Sequence, residues 1–481
     1  MTRDQLLEYL EHFTLVTDGN RLSELIGRFT LGMGYDYYRF ALILPMSMQR
    51  PKVVLFNQCP DSWVQAYTLN NMLACDPIIQ LARRQTLPIF ELVLCIALGV
   101  LVVVHLARWC VLDVDTRRAV IGDRRWLRVT VGAFLVVVAV AAVSLGFHDH
   151  AVRVNDAVVT HPPGWLFTVP LVQSALTVLV ALALVTAIPR SGLLRALWRA
   201  SVVLALATAC DIVREYDTGN YYGWRVATRL GGAATIHIVY LLGIGAMIEA
   251  LLHGWRRWIS VPVLTILLVV LVLSGSRAGI VGVGLFAGML VLWYAQRRLH
   301  TLKARAALVT TVLLAVCAAV VGMSLMRGSL VDRARVLTWR TAWQAATTDV
   351  TTVLFGVGYG RLWPWLGGMT GALPLRSHAV RTTFFGASLP HAHNTVVAVF
   401  GEMGLVGLAA LLVVFGVVIV VAARAVRGPN RVLAMTVLAS LPGLLVDTYL
   451  IKNFPVSLLW WVAVFMLLVL EAERTAGQSA T

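Results

Sequence analysis

Lysine is almost absent from this chain: Lys52, Lys303 and Lys452 are the only three, so nearly all of its 40 basic residues are arginine. Arginine abundance alone is therefore no argument for an anion-binding surface, although the formal net charge is +16. Charge of either sign is scarce, at 13% of residues, whereas hydrophobic residues make up 59% and mean hydropathy is +0.79. That balance excludes a soluble globular protein and predicts a polytopic membrane protein. Cysteine is also sparse. Six are present, Cys210 and Cys317 lie inside apolar runs, and no C-x-x-C spacing occurs, so neither a disulfide framework nor a zinc site is expected.

From about Phe90 onward, apolar runs long enough to cross a hydrocarbon core of roughly 30 Å alternate with polar links. The runs fall at roughly 90–107, 127–147, 164–188, 198–213, 233–252, 258–275, 278–296, 306–325, 395–423, 432–447 and 455–470. The expected fold is all-α, with about eleven membrane helices. Arg108, Arg117, Arg118, Arg124 and Arg125 follow the first run, Arg190, Arg195 and Arg199 the third, and Arg256 and Arg257 the fifth. Arg297, Arg298, Lys303 and Arg305 follow the seventh, and Arg424, Arg427 and Arg431 the ninth. Every second link is thus basic and is expected to be cytoplasmic, which puts 148–163, 214–232 and 326–394 on the periplasmic side of a bacterial inner membrane. The long 326–394 segment nevertheless carries Arg327, Arg333, Arg335, Arg340, Arg361, Arg376 and Arg381. Long loops translocate largely regardless of charge, so these arginines need another reason to be there.

The domain boundaries follow: a polar N-terminal piece (1–89), eight membrane helices (90–325), a catalytic loop (326–394), then three helices and a cytoplasmic tail (395–481). Residues 1–89 have soluble character, with amphipathic patterning over Leu6–Phe13 and Leu22–Phe29 and a strand-like Tyr37–Leu44. Met33-Gly34-Tyr35-Asp36-Tyr37-Tyr38-Arg39-Phe40, Pro60-Asp61-Ser62-Trp63 and Asp76-Pro77-Ile78-Ile79 closely resemble the N-terminal half of a LuxR-type autoinducer-binding domain, an α/β fold. The resemblance implies that Trp63 and Asp76 stand where that family contacts an acyl-homoserine lactone. It stops near Pro88-Ile89 without a helix-turn-helix, so no nucleic-acid partner is expected. Half an α/β domain leaves sheet edges uncovered, and 1–89 carries no export signal although residue 90 is placed on the periplasmic side. The expectation is a misjoined or fusion-derived segment rather than a working sensor.

His391-Ala392-His393-Asn394 closes the long polar segment just before the apolar run at Thr395. Imidazole is the side chain whose ordinary pKa suits proton transfer near neutral pH, which makes this the first candidate for chemistry. The alternative is that Asn394 N-caps the next helix and the histidines are interfacial polar residues. Ser274-Gly275-Ser276-Arg277-Ala278-Gly279 puts a guanidinium at a membrane boundary, where it either snorkels or grips a phosphate. Arg225 and Arg229 lie on the same expected face and read equally as helix-end charges. Arg335 and Trp339 share one face of a helix expected over 335–343. Leu354-Phe355-Gly356-Val357-Gly358-Tyr359-Gly360 is a glycine-punctuated turn that would let backbone approach a ligand.

In order, Arg-x-Gly-Gly, Ser-Gly-Ser-Arg-Ala-Gly, Arg-x-x-x-Trp, Gly-x-Gly-x-Gly and His-x-His-Asn lead into Gly401-Glu402-Met403-Gly404-Leu405-Val406-Gly407. Together, over roughly 90–470, they resemble the O-antigen ligase family, which also holds O-antigen polymerases and protein O-oligosaccharyltransferases and usually has twelve spans. His237 departs from the Asn that many members of the broader superfamily carry after the Arg-Gly motif. The resemblance implies an undecaprenyl-diphosphate-linked glycan donor, a lipid A–core acceptor and an active site facing the periplasm. It also implies an inverting transfer in which His393 takes the acceptor proton. Arg277, Arg229 and Arg225 would hold the diphosphate, Arg335 would bind substrate, and His391 and Asn394 would orient. No Asp-x-Asp falls on the links expected to be periplasmic, and neither metal nor cofactor is expected. A lipid-glycan transporter is the competing class; it would need broken helices, midplane ionisable residues and related halves, and only His105, Glu249 and Glu402 are candidates.

Overall fold

The computed structural model describes residues 19–32, 39–44, 52–57, 60, 62, 65, 125–147, 151–155, 157–187, 190–217, 221–222, 225–226, 233–254, 257–298, 301–326, 332–370, 372–373, 380–448, 450 and 454–479. The chain divides into two units, Met1–Glu91 and Leu92–Thr481.

In the first unit, helix α1 (Gly19–Gly32) is followed by an antiparallel hairpin of β1 (Arg39–Leu44) and β2 (Lys52–Asn57), in which Arg39 pairs with Asn57 and Leu44 with Lys52. The α1 helix buries Ile26 and Thr30 one turn apart, the two-turn stripe that its amphipathic pattern predicts. The Leu6–Phe13 helix, Trp63 and Asp76 lie outside the described residues.

The second unit is a helical bundle. Its long elements are α2 (Arg125–Phe147), α3 (Trp165–Ala187), α4 (Arg190–Asp217), α5 (Ala233–Leu252), α6 (Arg257–Leu273), α7 (Arg277–Arg298) and α8 (Leu302–Met326). Short hairpins β3 (Val152–Val154) with β4 (Ala157–Val159) and β5 (Tyr221–Tyr222) with β6 (Arg225–Val226) sit in the links. The segment after α8 folds into α9 (Arg333–Ala346), α10 (Val350–Phe355), α11 (Trp365–Thr370) and the hairpin β7 (Arg381–Thr383) with β8 (Gly386–Ser388). The chain then ends in α12 (Thr395–Ala425), α13 (Arg431–Leu444) and α14 (Phe454–Ser479).

Among the described residues, 7 helices are long and apolar enough to cross a membrane, and three shorter apolar stretches lie at His237–Leu252, Arg257–Leu273 and Arg431–Leu444. Each of the apolar runs expected from 127 onward is therefore a helix. The run at 90–107 lies outside the described residues.

Small residues let the helices approach, as expected where lipid tails are as apolar as the side chains and packing must do the work. A methyl group added at Gly245 would meet Thr436 of α13, one at Gly282 the Ala439 carbonyl, and one at Gly284 Val316 of α8. The same contacts give direction. His237 and Leu241 of α5 lie beside Gly279 and Gly282 of α7, so these two helices run parallel. His237 also lies beside Gly443 while Gly245 lies beside Thr436, so α13 runs against both. The starts of α5, α7 and α12 and the ends of α8 and α13 thus share one end of the bundle. The core is aromatic where α2 meets α14: Phe134 lies edge-on to Trp461 at 4.8 Å, and Trp460 donates its Nε1–H to Ser440 Oγ at 2.8 Å.

Candidate functional site

The polar segment between α8 and α12 docks on that shared end. At α9, Asp332 caps the helix by accepting from Arg335 N, and the helix buries Thr338, Thr341, Ala342, Ala345 and Ala346. The buried hydroxyls clasp β8 and its exit: Thr341 Oγ1 donates to the Ala387 carbonyl at 2.6 Å, and Leu389 N donates to Thr338 Oγ1 at 2.9 Å. Trp339 Nε1 then donates to the Ala392 carbonyl at 2.9 Å. Ala392 is fully buried while His391 and His393 on either side are half-buried, so one pinned residue presents two imidazoles.

The two rings lie against each other, with centroids 3.6 Å apart and planes inclined at 43°. His393 has φ +49°, in the left-handed region that costs most residues strain and that histidine, asparagine and aspartate enter most readily. Immediately after it, Asn394 Oδ1 accepts from Val396 N at 2.9 Å and Val397 N at 3.1 Å. Asn394 is thus the N-cap of α12 and closes two of its orphan donors. Its side chain fixes the exit from the histidine pair, so any orienting role it has runs through backbone.

Arg335 lies on the face of α9 that carries Trp339, as its spacing predicts. Its Nε is 3.2 Å from Asp332 Oδ2, and Nη1 reaches the Val446 carbonyl at 3.5 Å. The neighbouring Asp447 carbonyl accepts from Thr395 Oγ1 at 2.7 Å. The turn after α13 therefore joins Arg335 to the first residue of α12, two positions past His393.

Arg277 opens α7 after a turn in which Gly275 has φ +65°, and its Nη1 approaches Ser324 Oγ of α8 at 3.3 Å. Ser276 caps the helix by accepting from Gly279 N at 3.1 Å. Buried His237 bridges this corner to α13, because it touches both Gly279 and Gly443. Arg277, His237, the α13 turn, Arg335 and His393 thus occupy one continuous layer at the same end of the bundle. Arg225 lies on β6 opposite Tyr222. Arg229 lies outside the described residues.

In the glycine turn, Gly356 and Gly360 pack against the protein itself. Gly356, at φ +75°, presses on α12 so closely that a β-carbon there would lie 2.2 Å from the Glu402 carbonyl carbon. Gly404, at φ +64°, kinks α12 and would collide with Leu354 in the same way. Gly360 packs on the Phe167 ring. At Gly356 and Gly360 the closeness serves contact with other parts of the protein. Hydrogen bonds from Val357 N to the Gly401 carbonyl and from Gly358 N to the Glu402 carbonyl complete the seam.

Two side chains to which the sequence reading gave no partner, Glu402 and Arg381, organise this seam. Glu402 is buried, and its Oε1 accepts from Trp363 N at 2.9 Å. Arg381 is buried nearby and donates Nη2 to the Leu362 carbonyl. Burial pulls the Arg381 guanidinium down to about 10, opposed by the Glu402 carboxylate. The available signal was a carboxylate in an apolar run between Gly401 and Gly404, where a membrane-facing glutamate is costly unless it turns inward. At the far end of α9, a cleft of 470 Å³ is lined by Asp349, Thr351, Arg361 and Phe385. The Arg361 guanidinium stands over the Phe385 ring at 5.3 Å and the Phe384 ring at 5.9 Å.

Long apolar helices joined to a polar segment with its own hydrogen-bonded core define a multi-pass membrane protein. Comparison with known families narrows this. Residues 262–412 match the O-antigen ligase family, a stretch that includes Arg277, Arg335, His391, His393, Asn394 and Glu402. Residues 19–90 match the autoinducer binding domain. That N-terminal part is 89% identical over 90 residues to the transcriptional activator protein AhyR of Aeromonas hydrophila, covering 19% of this chain and 35% of AhyR. The transcriptional activator protein AsaR of Aeromonas salmonicida matches with the same identity and coverage. The regulatory protein SdiA of Escherichia coli is 40% identical over 45 residues, 9% of this chain and 19% of SdiA. The chain thus spans about a third of the length of the first two relatives.

Proposed function

We propose that the membrane unit is an O-antigen ligase: a glycosyltransferase that moves a glycan from undecaprenyl diphosphate onto a hydroxyl of lipid A–core oligosaccharide at the periplasmic face. The observation that carries this reading is the presentation of His393 by a pinned Ala392 and a capped Asn394 inside the segment that matches the family. A diphosphate is already a good leaving group. The reaction needs charge neutralisation as the anomeric bond breaks and a base for the incoming hydroxyl. His393 takes that proton while the hydroxyl oxygen attacks the anomeric carbon from the opposite side and the diphosphate departs. Arg277, with Arg229 and Arg225, holds the departing charge, Arg335 positions the substrate beside the α13 turn, and His391 steadies His393 through contact of the two rings. No metal takes part in this scheme.

The acceptor saccharide extends from His393 along α9 into the Asp349–Arg361 cleft. The cleft pairs an acceptor-only carboxylate with a donor-only guanidinium beside an aromatic wall, a set suited to a polyhydroxylated ligand. Arg361→Ala should therefore raise KM for the acceptor about tenfold, the loss of roughly one hydrogen bond to a charged group, while kcat stays close to the parent value. An unchanged acceptor KM in a steady-state transfer assay would remove the cleft from acceptor binding.

Arg277→Lys should lose nearly as much transfer as Arg277→Ala, because an ammonium keeps the charge but cannot make a two-pronged contact with diphosphate oxygens. A Lys variant with parental activity would make Arg277 a simple point charge. The ligase reading is tested by lipopolysaccharide profiling of a deletion strain. Loss of long-chain bands with retained lipid-linked polymer supports the ligase, whereas lipopolysaccharide capped with single repeats identifies a polymerase.

We further propose that residues 1–89 take no part in transfer. Replacing them with one apolar helix of about 20 residues, enough to cross the bilayer, should preserve activity in a ligase-deficient strain. Lost complementation, together with saturable acyl-homoserine-lactone binding by the intact chain, would show a genuine sensor.

A further inference from the structure

Arg333 and Arg340, two of the unexplained arginines of the long segment, lie on the outward stripe of α9, one turn either side of exposed Val336 and Leu337. The stripe continues through Trp343, 63% exposed, and across the turn to Val350, 75% exposed, and Leu354 on α10. An extramembrane helix in water would show polar residues here. The opposite face of α9 is already committed to β8 and α12, so the apolar stripe faces away from the protein.

Two contacts set its depth. Trp343 lies against Phe400 of α12 with ring centroids 5.4 Å apart, and the Leu354 backbone rests on Gly404 at the kink. Below the kink, the stretch from Leu405 to Ala425 rises about 31 Å at 1.5 Å per residue, which matches a hydrocarbon core of roughly 30 Å. That stretch exposes Leu405, Leu412, Val413 and Ile419, an apolar surface for acyl chains. Leu354 therefore sits at the hydrocarbon boundary. Trp343 sits one turn of α12 above it, in the zone where tryptophan concentrates in membrane proteins.

We propose that α9 and α10 lie in the interfacial layer of the bilayer. In this arrangement Val336, Trp343, Val350 and Leu354 contact lipid, and Arg333 and Arg340 contact headgroup phosphates. The exposed apolar surface of α12 meets α9 at Trp343 and α10 at Leu354, the polar Thr347–Asp349 turn lies between Trp343 and Val350, and the two guanidiniums flank the stripe as in an interfacial amphipathic helix. This inference stands independently of the transfer chemistry. It places the segment that presents His393 at the depth of a lipid headgroup.

The test uses the full chain in nanodiscs of phosphatidylethanolamine and phosphatidylglycerol. With the six native cysteines replaced, nitroxides are attached at Val350→Cys and Leu354→Cys, with Thr382→Cys, the exposed position of β7, as reference. Collision with oxygen should dominate at the first two positions, and collision with a water-soluble nickel chelate at the third. Nickel access at Val350 and Leu354 equal to that at Thr382, or shielding from both reagents as by a second protein surface, would overturn the proposal. The unmodified chain gives a second measurement that does not depend on the cysteine-free background. A phospholipid with a headgroup-proximal diazirine should leave adducts on Trp343–Phe355 after photolysis. Adducts on α12 below Gly404 without any on Trp343–Phe355 would likewise overturn it.

Discussion

His393→Ala protein should insert and fold like the parent and transfer about 10²–10⁴-fold less glycan, the usual loss when a general base is removed. Folding is spared because the local structure hangs on neighbours of the imidazole: the Ala392 carbonyl is held by Trp339 and the α12 terminus by Asn394. The left-handed backbone at His393 raises a competing explanation, that any substitution fails through strain. His393→Asn separates the two, since asparagine tolerates this conformation yet cannot take a proton near neutral pH. Both variants should be inactive in single-turnover transfer with purified donor and should melt with the parent. Near-normal transfer by either one would take His393 out of the proton transfer.

The second large effect involves a residue with no side chain to contribute. Gly356→Ala should free the 350–363 segment from α12 and abolish activity without touching any group proposed to do chemistry. A β-carbon at φ +75° costs roughly 1–3 kcal/mol in backbone strain alone. This one would also lie 2.2 Å from the Glu402 carbonyl carbon and 2.3 Å from Met403 N, both main-chain atoms that cannot step aside. The sum is expected to exceed about 4 kcal/mol, the range of exceptional single substitutions. Limited trypsin digestion should then cut at Arg361, which the parent protects. A Gly356→Ala protein with parental protection and activity would mean that α12 shifts to accommodate the methyl group at little cost.

Helix positions were legible because apolar runs in a membrane must satisfy their backbone internally, which leaves helix as the available form. The α1–β1 pattern was readable for a different reason, a period of 3.6 giving way to one of 2. The spacing of Arg335 and Trp339 also put both on one helical face, and the structure uses Trp339 on that face to hold Ala392. What pattern could not show was the partner of each group. The 356–360 turn announces close approach, but only the fold reveals that its Gly356 approaches Glu402 and Met403. Glu402 itself looked like a stray charge in a span, because its partner, Trp363 N, lies 39 positions earlier in sequence. The Asn394 cap was readable as one of two alternatives, and the structure places its side-chain oxygen on Val396 N and Val397 N.

The kink at Gly404 also divides α12 into two mechanically distinct parts. From Thr395 to Met403 the helix acts as a short axle, clamped at one end by the Gly356 seam and carrying the histidine pair at the other. One residue inserted within that axle would turn His393 by about 100° about the helix axis, while the stretch below the kink kept its phase with its neighbours. Four inserted residues would nearly restore the angle and lift the pair by about 6 Å. The reach and the heading of the imidazoles are thus set by a count of backbone units, so natural variation in length should be scarce between Thr395 and Met403 and freer in the masonry of the outer loops.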